Sequence, residues 1–336
     1  MQIRKRGVIL TKVYACYSKN EEERLLSSSG GIYPLLAEYI LQQGGAVFAA
    51  CYDDSLEVCH MQIRTLDELK KSQGAKYMAS KLGDTFGSVR NILLAEQPVL
   101  FAGTPCQCAG LESYLQAQRI DTKALFCVDF ICHGVPGRAS WRAYKEGQEQ
   151  RNGMISQIQM RDKSSGWTRY GYSWKYTFGD GRICYQKQSE NTYMKGFVSN
   201  LFLRPSCYRC GFRRLERPTD LTLGDYWGIW DIQPEMDDDR GTSLVLVHSE
   251  KGRELFRGIE NQMIYKETSI KAAIRENPSI LVSPGLTGKR ADFFHLLSEG
   301  EEFDDIIDKL AEKSFADKVK HKIWKVSGLS FWRQIK

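Results

Sequence analysis

Residues 98–116, "PVLFAGTPCQCAGLESYLQ", carry the pattern that decides the fold. The apolar residues 99–102 predict a short buried strand, a tight loop follows them, and a helix begins after the loop. Residues 122–146, "TKALFCVDFICHGVPGRASWRAYKE", repeat this order of strand, loop and helix. Strands without a polar face are typical of the centre of a parallel sheet with helices on both sides.

Strand and helix patterns alternate over residues 8–146, which predicts an α/β fold with a largely parallel sheet and flanking helices. After Asn152, polar and apolar residues alternate in stretches such as "TDLTLGDYW", and "FGDGR" supplies a hairpin turn, so we expect an antiparallel β-containing region. From Ile270 the pattern is mainly helical. We therefore predict three regions, which are residues 1–150, residues 151–268 and a helical C-terminus over residues 269–336.

The composition is that of a globular protein, with 42% apolar and 26% charged residues. Its apolar runs are far shorter than the roughly 20 residues of a membrane-spanning helix. The beginning, "MQIRKRGVIL", has too short an apolar part for a secretory signal, so we expect a cytoplasmic protein. In that reducing compartment the ten cysteines are expected to be metal ligands, catalytic groups or small buried residues.

The net charge of +6 comes largely from residues 204–217 and 318–336. A basic excess of this size fits an anionic cofactor, an acidic protein partner or a membrane surface. Without a binding motif it does not indicate nucleic acid, and we expect no nucleic-acid partner.

Two cysteines directly follow the two buried strands, Cys106 after the first and Cys132 after the second. If these strands are parallel neighbours, both loops leave the sheet at its carboxyl edge, where open α/β sheets bind ligands. Cys207 and Cys210, a Cys-x-x-Cys pair, would add two more thiolates. Four such ligands hold a zinc ion or an iron–sulfur cluster, and their wide separation along the chain favours a cluster within an enzyme over a local zinc knuckle.

Plainer interpretations of these cysteines stay open. The Cys-x-x-Cys pair alone also fits a redox dithiol, and Cys106 and Cys132 also fit small buried residues beside an incidental pair. Cys16 is left unassigned. A structural role is expected for Cys51, Cys59, Cys108, Cys127 and Cys184.

Residues 27–31, "SSSGG", open a predicted helix. Hydroxyl groups and unhindered amides at a helix N-terminus form an anion site suited to cofactor phosphates, although Ser and Gly also cap ordinary helices. In "GAKYMAS", Lys76, Tyr77 and Ser80 offer a cation, a ring and a hydroxyl at near-helical spacing. On its own, that spacing describes an exposed helix face.

In "GDYWGI", Asp225 follows a strand pattern, and Trp227 lies two residues further on, with glycine on either side of the group. Glycine beside bulky rings suggests close backbone approach to a planar ligand, and the plainer alternative is a turn anchored by a buried tryptophan. His133 adjoins Cys132, where it would tune a cofactor, move a proton or only hydrogen-bond its loop.

Seven motifs occur together and in order, namely "SSSGG", "GAKYMAS", "GTPCQCAGLESYL", "DFICHGVPG", "RDKSSGW", "RPSCYRCGF" and "DLTLGDYWGI". This combination resembles the coenzyme F420 hydrogenase/dehydrogenase beta subunit family, in particular its bacterial branch, whose members often accompany polysaccharide-biosynthesis genes. The resemblance covers residues 13–247. Seven motifs in order are far more specific than any one of them.

The resemblance implies a cytoplasmic iron–sulfur flavoprotein that binds FAD and a [4Fe–4S] cluster and passes electrons between the cluster and a small-molecule substrate or a deazaflavin. It assigns four cysteines to the cluster and a wider group of residues to the flavin site, with His133 and Lys76 as candidates for proton transfer or charge stabilisation. The cluster ligands are Cys106, Cys132, Cys207 and Cys210. The flavin-site residues are Ser28, Ser29, Gly30, Gly31, Lys76, Tyr77, Ser80, Thr104, Gln107, Asp225 and Trp227.

The chain departs from the fuller family pattern at its beginning. Many members start with a ferredoxin-like domain that contains Cys-x-x-Cys-x-x-Cys-x-x-x-Cys-Pro, and nothing of that kind precedes Cys16. We therefore expect either that electrons arrive from a separate ferredoxin or another electron-transfer protein, or that this chain keeps a single cluster and uses a different donor. The basic, aromatic residues 317–336 would suit such an acidic partner or peripheral contact with a membrane, and a solvated terminal helix is the commoner outcome.

Two other functions keep the same cysteines without the redox chemistry. The first is a structural or regulatory protein with a four-cysteine metal site in a glycan-assembly system. The second is a zinc-dependent binding module that uses the basic residues 204–217, which has little support because stacking aromatics are not interleaved with them.

Overall fold

Two sheets and twelve helices make up the part of the chain that the computed structural model describes, residues 11–167 and 171–311. The strands are β1 Lys12–Ser18, β2 Ala46–Tyr52, β3 Val58–Ile63, β4 Val99–Gly103, β5 Leu125–Phe130, β6 Ile155–Asp162, β7 Ser173–Phe178, β8 Ile183–Lys187, β9 Leu221–Asp225, β10 Ser243–Val247 and β11 Met263–Glu267. The helices are α1 Glu21–Leu26, α2 Ile32–Gln42, α3 Leu66–Ser72, α4 Thr85–Leu94, α5 Pro105–Ala117, α6 Arg138–Asn152, α7 Thr192–Val198, α8 Ile229–Ile232, α9 Glu250–Gly258, α10 Ile270–Arg275, α11 Lys289–Ser298 and α12 Phe303–Ala311.

The larger sheet has eight strands in the order β11-β1-β10-β9-β5-β4-β2-β3. Its four central strands, β9, β5, β4 and β2, run parallel, and the strands outside them pair antiparallel. The two strands that precede the cysteine loops are β4 and β5, and they are parallel neighbours with Phe101 opposite Cys127. The predicted α/β fold with parallel central strands is therefore confirmed.

Helices cover both faces of this sheet because its central strands carry apolar side chains on both faces. Leu100 packs in the cluster that includes Leu36 of α2 and Leu255 of α9. Its neighbour Phe101 points the other way, into the cluster of α4 and α5 that includes Leu111. Each of these side chains is fully buried, and burial of such a side chain stabilises the fold by about 1.5–3 kcal/mol.

The smaller sheet is antiparallel, with strands in the order β6-β7-β8, and the predicted "FGDGR" hairpin joins β7 to β8. An aromatic core packs beneath it and against α6, α7 and α12. Trp141, Trp174 and Tyr193 are fully buried in that core, and Tyr193 stacks with Phe303 of α12. The antiparallel region and the helical character after Ile270 are thus confirmed within the described residues.

The position of β9 differs from the expectation for "TDLTLGDYW". We grouped this stretch with the antiparallel region, but β9 lies at the centre of the large sheet, parallel to β5 and antiparallel to β10. Its polar residues are buried rather than exposed: Thr222 donates a hydrogen bond to Asp129 and lies 2.8 Å from Nε2 of His248. Asp129 is also paired with buried Arg217 at 3.0 Å, so buried polar contacts account for the polar residues of this alternating stretch.

The predicted boundary near residue 150 marks a change in the pattern of polar and apolar residues. The large sheet takes strands from both sides of this boundary. In the described ranges, none of the helices combines the length and apolar character needed to cross a membrane. The basic residues 317–336, for which we expect contact with a partner or a membrane surface, lie outside the described residues.

Candidate functional site

A cavity of about 570 Å³ opens at the carboxyl edge of the parallel strands. The residues at or just after the ends of β4, β5 and β9 line it, among them Thr104, Phe130 and Asp225. Parallel pairing causes this convergence, because all of these strands end at one edge of the sheet. The volume falls in the range of about 300–1,000 Å³ that is usual for small-molecule and cofactor sites.

The "SSSGG" loop lines the cavity through Ser28, Ser29 and Gly31, immediately before α2. Gly31 is the N-cap of α2 and supplies no side chain to cap it, so the first backbone amides of the helix remain available to an anion. Gly30 lies outside the cavity lining, where its amide donates to Oγ of Ser243 at 2.9 Å. The loop therefore offers two serines and the positive end of a helix dipole.

Gly31 allows a prediction about how this loop is held. Its φ of +80° is in the left-handed region, and a Cβ atom there would lie 3.2 Å from Cα of Arg24 and from Cβ of Ser18. We expect Gly31→Ala to lower the free energy of unfolding by about 1–2 kcal/mol through backbone strain, and by roughly another 1 kcal/mol through crowding. Urea denaturation followed by circular dichroism measures this change.

Gly44 is the matched control, with a φ of +73° and nothing within 4 Å of the position of a Cβ atom. Gly44→Ala should cost only the backbone strain. Equal losses in the free energy of unfolding for Gly31→Ala and Gly44→Ala would show that the loop tolerates the extra atom. That result would contradict the close packing described for Gly31.

Lys76 and Tyr77 line the cavity from a segment that is not helical, which corrects the near-helical spacing we assigned to "GAKYMAS". Helix α3 ends at Ser72, and Nζ of Lys76 donates to the carbonyl oxygens of Ser72 at 3.1 Å and Gln73 at 3.0 Å. Burial lowers the pKa of Lys76 to about 8. Lys76 is therefore a cation held at a helix C-terminus whose proton is less tightly bound than that of an ordinary lysine.

Arg161 is a buried cation of the cavity that the sequence did not single out. Its Nη1 donates to the Asp225 carboxylate, and its guanidinium lies over the rings of Tyr172 at 4.5 Å and Trp227 at 5.3 Å. Burial alone would lower the pKa of Arg161, but the Asp225 carboxylate raises it above its ordinary value. In the described part of the chain, the Nε and Nη2 atoms of Arg161 have no hydrogen-bond partner.

The unpaired atoms of Arg161 lie along one edge of the planar guanidinium, the edge suited to two acceptors side by side. A buried donor without a partner costs about 1–3 kcal/mol, and more when it is charged. An acceptor-rich ligand in the cavity would recover that cost. The planar face of Trp227, which stacks on Trp167 at 5.1 Å, adds an aromatic wall beside the same group.

Lys163 holds the "SSSGG" loop in place. Its Nζ donates to the carbonyl oxygens of Ser29 at 2.7 Å and Arg240 at 2.8 Å, and also to that of Arg24. Burial lowers the pKa of Lys163 to about 7. Both Arg161 and Lys163 belong to "RDKSSGW", a motif that contributed to the resemblance without any of its residues being assigned a role.

The four predicted cysteine ligands lie on segments that follow the ends of the parallel strands or pack near them: Cys106 in the first turn of α5, Cys132 just after β5, and Cys207 and Cys210 in or just after a 3₁₀ turn. Cys132 lines the cavity, and burial together with the neighbouring Cys207 and Cys106 raises its pKa to about 12. Burial lowers the pKa of Arg213, while the nearby Cys132, Cys210 and Cys207 act to raise it. That all four cysteines hold one cluster stays a prediction.

The segment that carries Cys207 is a 3₁₀ turn over Pro205–Arg209, packed against the loop after β5. The Val135 amide donates to Sγ of Cys207 at 3.4 Å, and Arg213 donates to the carbonyl oxygen of His133 at 2.7 Å. Gly134, with a φ of +146°, permits this approach, since a Cβ atom there would lie 2.8 Å from Leu203. Within residues 11–167 and 171–311, no group of three or more His, Cys, Asp or Glu side chains is arranged to hold a single metal ion.

His133 lines the cavity next to Cys132, with its Nε2 atom 2.8 Å from Oδ1 of Asn200. Because a carboxamide oxygen only accepts, Nε2 carries the proton. Burial lowers the pKa of His133, while the hydrogen bonds from its ring to Asn200 and to the Phe197 backbone act to raise it.

Ser80, Thr104 and Gln107 lie together with Cys106 around a smaller cavity of about 90 Å³. Thr104 is the N-cap of α5, and Gln107 completes a capping box with it. A further residue that sequence analysis missed, His60 of β3, also lines this cavity and lies 2.9 Å from Oγ of Ser80. A lone histidine in a strand carries no motif, so only the fold brings it here.

The buried His60 predicts a loss of stability in acid. Burial lowers the pKa of His60 to about 4 from its ordinary value of 6.5. The unfolded chain thus binds the extra proton between these two pH values, and stability falls by roughly 3 kcal/mol as the pH drops from 6.5 to 4. Denaturant unfolding across this range should show a steeper decline for the wild type than for His60→Gln, and parallel curves would contradict the prediction.

The remaining cysteines differ in burial. Cys16, left unassigned by sequence, is fully buried in β1. Cys51, Cys108 and Cys127 are buried, as a structural role predicts, whereas Cys59 is partly exposed and Cys184 is exposed on β8.

Comparisons with known proteins agree with this architecture. A chain of the F420-reducing [NiFe] hydrogenase complex from Methanosarcina barkeri has a similar fold, with a TM-score of 0.52 and 17% sequence identity over 89% of this chain and 90% of that one. A comparison with curated proteins found no match. The family profile for the C terminus of the coenzyme F420 hydrogenase/dehydrogenase beta subunit matches residues 96–273, more than half of the 336-residue chain. The matched residues include all four predicted cysteine ligands, Arg161 and Asp225, and the chain belongs to the coenzyme F420 hydrogenase/dehydrogenase beta subunit family.

Proposed function

We propose that this protein is an oxidoreductase that passes electrons between a [4Fe–4S] cluster on Cys106, Cys132, Cys207 and Cys210 and an FAD in the adjoining cavity. The observation that carries the proposal is the position of Cys132. It lines the cavity, and its loop contacts Cys207 through the Val135 amide, so a group bound by the cysteines would stand at the wall of the ligand site. Such adjacency is what electron transfer between two cofactors requires.

The chemistry of the cysteine group supports a cluster. Thiolates are the usual ligands of iron–sulfur clusters, and the core of a cluster separates its ligands more widely than a single ion does. The Val135 amide, which donates to Cys207, and the nearby guanidinium of Arg213 would both stabilise negative charge on the sulfurs.

The lining of the cavity supports a flavin nucleotide. The uncapped N-terminus of α2 with Ser28 and Ser29 suits phosphate groups, and the two unpaired nitrogens of Arg161 suit the acceptor-rich edge of a flavin ring. Trp227 would flank a planar ring system. The Asp225 carboxylate would orient Arg161 rather than contact the cofactor.

When bound, the two groups would supply one-electron transfer at the cluster and the coupling of one-electron to two-electron transfer at the flavin. The protein contributes position and protons. Lys76, with a pKa of about 8, would donate a proton from Nζ at neutral pH, and His133 would stabilise charge through Nε2, whose position Asn200 fixes. The partly buried Tyr77 would help to exclude water from the same part of the cavity.

An acidic ferredoxin or similar electron-transfer protein would deliver the electrons. Arg204, Arg209 and Arg214 are exposed around the cysteine segment, and none of them forms an ion pair with another described residue. This basic surface would attract an acidic partner and shorten the path to the cluster. A cytoplasmic location, a small-molecule or deazaflavin acceptor, and a role in polysaccharide biosynthesis are proposed on the sequence resemblance alone.

Anaerobic purification followed by visible spectroscopy and by iron, sulfide and flavin analysis tests the proposal. We expect flavin bands on top of a broad absorption, both bleached by dithionite, with close to four irons per chain, as a [4Fe–4S] cluster contains. A colourless protein that contains zinc would contradict the proposal and would favour a structural metal site.

A further inference from the structure

A chain of polar side chains links His60 to the cysteine group. Nε2 of His60 lies 3.0 Å from the carbonyl oxygen of Ala102, and Nδ1 of His60 lies 2.9 Å from Oγ of Ser80. Nε2 of Gln107 donates to the same Ser80 Oγ at 2.9 Å. Ser80 is therefore shared between the histidine and the glutamine.

The direction of these hydrogen bonds follows from the Ala102 carbonyl, which can only accept. Nε2 of His60 must carry the proton, and because the ring is neutral, Nδ1 is an acceptor. Ser80 then donates its hydroxyl proton to His60 and accepts from Gln107. This fixes the amide of Gln107 with its nitrogen toward Ser80 and its oxygen toward Thr104.

Gln107 meets Thr104 at two atoms. Oε1 of Gln107 accepts from the Thr104 amide at 2.9 Å and from the Thr104 hydroxyl at 3.0 Å. The same hydroxyl oxygen lies 3.1 Å from Sγ of Cys106. Thr104 has one hydroxyl proton, so it donates either to Gln107 or to the sulfur, and the partner depends on whether the sulfur carries its own proton.

We propose that Thr104 is a positioning residue for the metal ligand Cys106, and that its hydroxyl donates a hydrogen bond to the sulfur once that sulfur is a thiolate. Ligation removes the S–H proton to solvent, after which Sγ can only accept. The Thr104 hydroxyl then turns from Gln107 to Cys106, while Gln107 keeps the bond from the Thr104 amide. Among these described residues, no buried polar atom loses its last partner in this change.

The inference gives Ser80, Thr104 and Gln107, which the sequence placed at the flavin, a role at Cys106, and Thr104 lines the larger cavity as well. Their contacts run toward Cys106, and His60 at the far end fixes their orientation. The identity of the bound metal group rests on the proposed function, whereas the contact between Thr104 and the sulfur does not.

The first test compares the reduction potential of the cluster in wild type, Thr104→Val and Thr104→Ser by an anaerobic redox titration. A hydrogen bond to the ligand sulfur stabilises the more negative, reduced cluster. Thr104→Val should shift the reduction equilibrium about tenfold toward the oxidised cluster. This lowers the reduction potential by about 59 mV for a one-electron couple. Thr104→Ser keeps the hydroxyl and should restore the wild-type value. An unchanged potential in Thr104→Val would overturn the proposal.

The second test does not depend on a cluster and so separates this proposal from the proposed function. In the metal-free protein, iodoacetamide alkylation of Cys106 is timed by peptide mass mapping, with Cys210 in the same sample as the internal control. Loss of the Thr104 hydroxyl should slow alkylation of Cys106 several-fold in Thr104→Val. Alkylation of Cys106 in Thr104→Ser, and of Cys210 in both variants, should keep the wild-type rate. If the wild type holds no iron but this pattern appears, the proposed function fails and the Thr104 contact stands. Equal alkylation rates of Cys106 in wild type, Thr104→Val and Thr104→Ser would overturn the proposal about Thr104.

Discussion

Cys132→Ser should abolish binding of the cluster, lowering the iron and sulfide content of anaerobically purified protein at least tenfold. Cys132 is the predicted ligand that also lines the cavity, so the substitution removes one of four cluster ligands at the wall of the ligand site. Serine is close to cysteine in size, and the fold should survive the change because the loop after β5 is held by other contacts, including the bond from Arg213 to the His133 carbonyl. Circular dichroism checks that the variant is folded.

Cys184→Ser is the matched control, since Cys184 is exposed on β8 and its sulfur contacts only the Tyr185 carbonyl oxygen, at 3.9 Å, among the hydrogen bonds of the described residues. It should keep the iron content of the wild type. Cys207→Ser should lose the cluster as Cys132→Ser does. A fully intact cluster in Cys207→Ser would show that the assignment of the four ligands is wrong.

Arg161→Met should weaken the binding of flavin by about two orders of magnitude. The two unpaired nitrogens of Arg161 are charged donors, and hydrogen bonds of this type contribute roughly 1.5–3 kcal/mol each, so about 3 kcal/mol or 100-fold is expected. Equilibrium dialysis of FAD against apoprotein measures the change. Because the substitution also leaves the Asp225 carboxylate without its partner, stability should fall, and the double variant Arg161→Met, Asp225→Asn should recover stability but not affinity.

Arg182 provides the control for this prediction. It also pairs with a carboxylate, Asp180 at 2.6 Å, and lies over a ring, Phe178 at 5.1 Å, but it is exposed on the hairpin between β7 and β8. Arg182→Met should leave the affinity for FAD unchanged. Wild-type affinity in the double variant at Arg161 and Asp225 would mean that the unpaired edge of Arg161 does not face the ligand.

The centre of the fold was predictable because short-range patterns determine it. β4 and β5 are apolar on both faces, so only a position between helices satisfies them, and strand–loop–helix repeats make them parallel. The position of Cys106 and Cys132 just after two neighbouring strands, at one edge of the sheet, follows directly from that pairing. No energetic detail was needed to place those two residues at one edge.

β9 was harder to place because its polar residues form contacts that are distant in sequence. Thr222 is fully buried and bonds Asp129 of β5, yet in the sequence it is one more polar residue in an alternating stretch. Lys76 shows the same limit of local patterns. Its near-helical spacing with Tyr77 and Ser80 is typical of a helix face, but α3 ends at Ser72 and Lys76 lies in the loop that follows. In both cases tertiary partners outweigh the local pattern.

Arg161, Lys163 and His60 were missed for a related reason. A charged residue in a β-rich stretch is usually exposed, and nothing local indicates that Arg161 would be buried between rings beside Asp225. The one available signal was that "RDKSSGW" matched the family while none of its residues had a role. A motif without an assigned role is therefore a good place to look for buried charge.

The most direct test of the central claim is a stopped-flow experiment that follows reduction by a photoreduced ferredoxin at the cluster and flavin absorptions separately. If electrons enter through the cysteine group and pass to the cavity at Cys132, the cluster should bleach first and the flavin second in the wild type. The flavin of Cys132→Ser should then be reduced at least tenfold more slowly. Flavin reduction at the wild-type rate in that cluster-free variant would contradict the account.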